Sequence, residues 1–203
     1  IEEMQTGELS VKQREYLQKV NAASYDEILA DPDMKAFADS MAKVLFADNC
    51  AACHGPGGDL PSQAFGLYPN IADDAWLWGG TLADIEHTIA HGRKGYMPAF
   101  GATFTEEQLD AVASYVLSLS DHHVDADMVD AGRQIFQSQE GGCYYCHGRD
   151  GAGLKSQGAA NLTDAIWTVA KVPSANLEDI KIEAKLASVK RVIKDGIYRE
   201  MPY

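Results

Sequence analysis

All four cysteines of this 203-residue chain lie in two copies of one pattern. The first copy is Cys50-Ala51-Ala52-Cys53-His54; the second is Cys143-Tyr144-Tyr145-Cys146-His147. Thiols at this spacing can form a redox-active pair or supply half of a zinc site. A zinc site does not require histidine directly after both pairs, and no βαβ pattern surrounds either pair as a thioredoxin-like motif would expect. C-x-x-C-H is instead the attachment signature of a c-type haem. The two thiols add across the vinyl groups of one porphyrin, and the histidine that follows is placed to ligate the iron. Cys50, Cys53, Cys143 and Cys146 are therefore expected to carry two covalent haem c groups, with His54 and His147 as axial iron ligands.

Each iron then needs a distal ligand. Met97-Pro98 and Met201-Pro202 are the methionine–proline pairs that follow the two motifs. Proline holds the preceding residue extended, which helps to present a thioether. Methionine is more often a core residue, but these two recur at equivalent positions, each after a glycine five residues upstream. Met97 is the expected ligand of the first iron and Met201 of the second, since Met/His ligation is the pattern of electron-carrying cytochromes c. His91 is the main rival at the first iron; His87 and His91 read more simply as a surface pair, and His122-His123 as solvated. Trp76, Trp78 and Trp167 are expected to line haem crevices. Arg93 is a candidate partner for a propionate, and Tyr144 and Tyr145 for an exposed position near a haem edge.

The elements that must position these residues repeat. Asn70-Ile71-x-Asp73-x-x-Trp76 matches Asn161-Leu162-x-Asp164-x-x-Trp167, and Ile89-x-x-Gly92 before Met97 matches Ile193-x-x-Gly196 before Met201. The order is the same in both halves, so the chain reads as an internal duplication with one haem per half. Asp31 with Pro32 starts a helix that runs through Met34, Phe37, Met41 and Val44 into the first motif. Thr81 with Asp84 starts another that ends at Gly92, and Thr105 opens a third carrying Leu109, Val112 and Val116. A further helix around Met128 to Gln137 leads to the second motif. The domain boundaries expected are an N-terminal helical extension over 1–30, a first domain over 31–120, a linker over 121–128 and a second domain over 129–203. The second domain carries an insertion near 168–186 and has no counterpart of the helix after Thr105.

The formal net charge is −13, which argues against nucleic acid and anionic membrane surfaces as partners. No apolar run is long enough to span a bilayer, and the first residues lack a basic and apolar leader, so Ile1 is expected to be a cut end. Covalent haem attachment in bacteria takes place outside the cytoplasmic membrane, which makes the periplasm the expected compartment.

The stretches Phe46 to Gly55, Asn70 to Gly80, Gly95 to Gly101, Ala131 to Phe136 and Asn161 to Trp167 closely resemble the dihaem, CcoP-type subunit of cbb3-type cytochrome c oxidases. The resemblance covers about residues 30–167 and 188–202. It implies an all-α fold of two tandem class I cytochrome c domains, each wrapped around one covalent haem. It also implies an electron-entry subunit, not catalytic by itself, that takes electrons from a donor cytochrome and passes them toward the oxygen-reducing subunit. Against that family, no membrane anchor is read before the first motif within residues 1–203, a charged insertion runs from Lys171 to Lys185, and no last helix is read before Tyr203. The competing readings are a free periplasmic dihaem shuttle, a dihaem enzyme such as a peroxidase, and a gas sensor; the last two need an iron with an open or displaceable position.

Overall fold

The computed structural model describes residues 8–59, 68–172 and 181–202. Residues 173–180, within the expected insertion, and most of the first ten residues, where a leader was sought, lie outside that description. The chain forms two compact units, residues 1–58 and 59–203.

The first unit is a run of helices: α1 (Glu8–Ala22), α2 (Tyr25–Ala30), α3 (Pro32–Asn49) and α4 (Ala51–His54). Asp31 caps α3 as expected, its carboxylate accepting from the Asp33 and Met34 amides at 3.0 Å each, with Pro32 in the first turn, where its missing N–H is not needed. The short helix α2 was not anticipated. It starts at a capping box in which Ser24 and Glu27 satisfy each other's backbone N–H groups. Tyr16 of α1 packs on Phe37 of α3 at 5.6 Å between ring centroids. The apolar series of α3 continues toward the first motif, but Val44 is 60% and Leu45 56% exposed.

The second unit contains α5 (Leu82–His91), β1 (Arg93–Met97), α6 (Glu106–Ser118), α7 (Ala126–Phe136), α8 (Tyr144–His147), a 3₁₀ turn (Lys155–Gln157), α9 (Ile182–Asp195) and β2 (Ile197–Met201). Capping boxes at Thr81/Asp84 and Thr105/Gln108 start α5 and α6. Helix α7 begins earlier than its apolar pattern suggested, because the Asp125 carboxylate captures the Asp127 and Met128 amides. The core lies where α6 packs between α7 and α9. Leu109, Val112, Leu117, Phe136, Val172 and Val189 are each nearly or fully inaccessible. Gly132 makes the α6–α7 contact possible: a Cβ there would collide with the Ala111 carbonyl. Across α6 and α9, Lys190 bridges Glu106 and Asp110 at 2.9 and 2.6 Å, and Lys194 reaches Glu106 at 2.6 Å.

The chain is mostly helical, but two features depart from the sequence reading. Strands β1 and β2 form an antiparallel ribbon in which Arg93 opposes Met201, Gly95 opposes Arg199 and Met97 opposes Ile197. The two copies of the repeat pair with each other about a local twofold, a long-range event that five residues of alternation cannot announce. The second departure is His122, expected in a solvated linker. It is 6% exposed, because Asp121 adopts φ 63° and the His122 amide turns back to donate to the Leu117 carbonyl. His123 beside it is exposed.

Candidate haem-binding site

The two motifs adopt the same local backbone. The His54 amide donates to Cys50 O at 2.9 Å and the His147 amide to Cys143 O at 3.0 Å. Each turn closes on a glycine in the left-handed region, Gly55 at φ 81° and Gly148 at φ 76°. Both cysteines and the histidine therefore sit on one helical turn in each copy. None of the four cysteines is in a disulfide. His54 is buried at 8% exposure. The Cys143 thiol is pushed up to about 11, chiefly by burial, with Cys146 adding to it against an opposing main-chain hydrogen bond.

An apolar cavity in the second unit shows what the second motif faces. Cys143 and His147 line it, together with Val112 and Val116 of α6, Phe136 of α7, Leu162 and Trp167, Val189 and Ile193 of α9, and the ribbon pair Met97 and Ile197. His147 Nδ1 lies 3.0 Å from the Ala160 carbonyl. A carbonyl can only accept, so Nδ1 carries the proton and the Nε2 lone pair is left for a metal. Burial also pulls the His147 pKa below its ordinary value, against the opposing effect of that hydrogen bond. The net effect favours the neutral ring, the form in which histidine ligates a metal.

The cavity fits a haem. Its walls are largely apolar, as a porphyrin plane requires, and the Cys143 thiol and the His147 imidazole line it. Trp167 contributes a buried indole nitrogen that has no hydrogen-bond partner. A buried donor left unmade is costly, and a propionate of a bound haem would supply an acceptor for it.

The structure brings Met97, rather than Met201, together with His147. Both methionines are half-buried on the same alternating face of the ribbon. The antiparallel register sends them to opposite ends, Met97 beside Ile197 and Met201 beside Arg93. Arg93 is not free to roam: its Nε donates to Thr88 Oγ1 at 2.9 Å, Nη2 donates to the Asp84 carbonyl at 3.4 Å, and the guanidinium lies 5.0 Å from the Trp78 ring centroid. Trp78 and Arg93 line a separate polar groove with Asp84, His87 and Lys155, while Trp76 is 40% exposed. His87 and His91 stack as an exposed pair at 4.4 Å. Tyr145 is 58% exposed, against Tyr144 at 4.2 Å. Sequence reasoning missed the Ala160 carbonyl, which no side chain marks, and the α6 wall, which comes from the other half of the repeat.

The sequence pattern of cytochrome c oxidase, cbb3-type, subunit III matches residues 37–116. The cbb3-type cytochrome c oxidase subunit FixP of Sinorhizobium medicae is 38% identical over 174 residues, 81% of this chain and 58% of that protein. FixP of Azorhizobium caulinodans is 41% identical over 77% of this chain and 57% of its own length. The subunit CcoP of Cereibacter sphaeroides is 40% identical over 69% of this chain and 50% of its own. The chain belongs to the cbb3-type cytochrome c oxidase subunit III family. Membership of this cytochrome c family implies haem c as the cofactor. This member of the subunit III family spans somewhat more than half the length of the FixP relatives. Among its described residues no helix is long and apolar enough to cross a membrane.

Proposed function

We propose that the chain is a dihaem electron carrier of the periplasm, relaying electrons from a donor cytochrome toward the oxygen-reducing subunit of a cbb3-type oxidase. One haem c is bound through Cys50 and Cys53 with His54 as ligand, the other through Cys143 and Cys146 with His147. Met97 and Met201 are the two distal thioethers. The observation that carries the reading is the shared cavity of Met97, Cys143 and His147, beside the unpartnered nitrogen of Trp167. It favours crossed pairing, in which Met97, from the first half of the repeat, serves the iron above the second motif.

When bound, a haem with Met and His ligands supplies a reversible one-electron couple at a relatively high potential. The chain's part is to orient His147 through Ala160, to present Met97 from a paired strand, and to keep water from the iron with Val112, Phe136 and Val189. With both axial positions filled there is no open coordination site for substrate, so the chain carries electrons rather than turning over a reactant.

The test is optical, on the protein matured with haem. The ferric charge-transfer band of Met-ligated haem is present twice and carbon monoxide binds slowly to the reduced protein. In a Cys50→Ala/Cys53→Ala background, with haem on the second motif alone, Met97→Ala abolishes the band and Met201→Ala leaves it. The reverse result restores pairing within each half. Rapid carbon monoxide binding to the unsubstituted protein refutes Met ligation.

A further inference from the structure

His122 has no role in the relay described so far, yet its placement is specific. Its ring packs edge-on against Trp167, with centroids 6.3 Å apart, and Trp167 is the wall of the cavity that takes Cys143, His147 and Met97. The ring is buried, while the residues on either side, Asp121 and His123, are exposed. The unusual φ of Asp121 is the one positive value outside glycine among the described residues, and aspartate is among the few residues that tolerate it. That turn points the imidazole inward and leaves it one residue from solvent. The charged groups that act on it are Lys185, itself 4% exposed on α9, and Asp121 in its own turn.

We propose that His122 is a redox-linked proton acceptor for the haem of the second motif. The reading rests on the haem assignment above and adds a second task to the same site. Before reduction the cationic form is disfavoured, first by burial and then by the ammonium of Lys185, with Asp121 opposing. With a haem held by Cys143, Cys146 and His147, an electron from a one-electron donor would add one negative charge on the cavity side of Trp167. The imidazole then takes one proton from solvent past Asp121 and becomes imidazolium. On oxidation the electron leaves to the acceptor and the proton returns to water. In general, a unit charge on the order of 10 Å from a titrating group, at an effective dielectric near 20, alters its proton affinity roughly tenfold. By linkage the potential must depend on pH to the same degree.

The experiment is a potentiometric titration of the haem-loaded full chain at several pH values between about 5 and 8, spanning the ordinary histidine range. One of the two midpoints should fall as pH rises through a roughly tenfold-separated pair of titration points, and the other should not follow it. His122→Gln should flatten that midpoint, and His123→Gln, next door and exposed, should leave the slope intact. Lys185→Met should move the sloping region to higher pH. Proton uptake by the unsubstituted protein on reduction, read with a pH indicator, gives a readout that needs no variant to fold. A flat profile with no uptake overturns the proposal, and so does a slope that survives His122→Gln, which would assign it to a propionate. Protein that matures without covalent haem on Cys143 and Cys146, seen by pyridine haemochrome, removes the haem assignment itself and is distinguishable from both.

Discussion

Met97 and Ile197 stand opposite each other in the ribbon, and both line the cavity of His147. The strand that presents the thioether is therefore held in place by a partner from the other half of the repeat. Ile197→Ala removes half-buried methylene groups from behind Met97, a loss of roughly 1 kcal/mol of stability. The sharper effect is kinetic: carbon monoxide binding to one reduced haem, followed by flash photolysis, should quicken while the other stays slow. Equal behaviour of both haems would mean that Ile197 does not hold the Met97 loop.

Trp167→Phe should have opposite signs in two forms of the protein. With haem present, the variant loses a hydrogen bond to a charged acceptor, about 1.5–3 kcal/mol. Without haem, it removes a buried donor that has no partner, so the apoprotein should be as stable or more so. Thermal unfolding of both forms decides; a loss of the same size in both would mean that the indole matters through packing alone.

Gly132→Ala tests the core independently of the cofactor. The added methyl meets the Ala111 carbonyl and the Tyr115 Cβ, and overpacking of this kind costs about 1–3 kcal/mol. Denaturant unfolding of the apoprotein should show the loss as a lower midpoint. Helix propensity alone would predict the reverse, since alanine is the better helix former.

Acid should loosen the α6–α9 contact. Hydrogen bonds from Lys194, then Lys190, hold the Glu106 carboxyl down from 4.5 to about 2. A depressed folded value means that the contribution is fully present above the unfolded pKa and is lost as pH falls from about 4.5 to about 2. Glu106→Gln should remove that part of the acid dependence, followed by circular dichroism. High salt should shrink the difference between the two proteins, because the pair is solvent-exposed.

Local rules carried much of the architecture. Asp31 with Pro32, Thr81 with Asp84, and Thr105 with Gln108 start helices where side-chain chemistry required, because a cap is a matter of three or four adjacent residues. The pair of C-x-x-C-H turns was legible for the same reason. What was not legible depends on distant contacts. Nothing near Met97 says that its strand pairs with residues 197–201 or that the helix following Thr105 walls the second cavity. The packing of α6 against α7 and α9 is of the same kind, since it joins elements from the two halves of the repeat. His122 was misread because a polar linker composition says nothing of a backbone turn that faces one residue inward.

The ribbon also has a consequence for biogenesis. Synthesis runs from the N-terminal side, so β1 emerges before β2 exists. Until residues 197–201 follow it out, Met97 has no strand beside it and the cavity of His147 lacks one wall. On the proposed assignment, attachment at Cys50 and Cys53 does not need the ribbon. Seating Met97, by contrast, waits for nearly the whole chain, and a nascent or proteolysed fragment cut between the halves would carry haem while still exposing iron to small molecules.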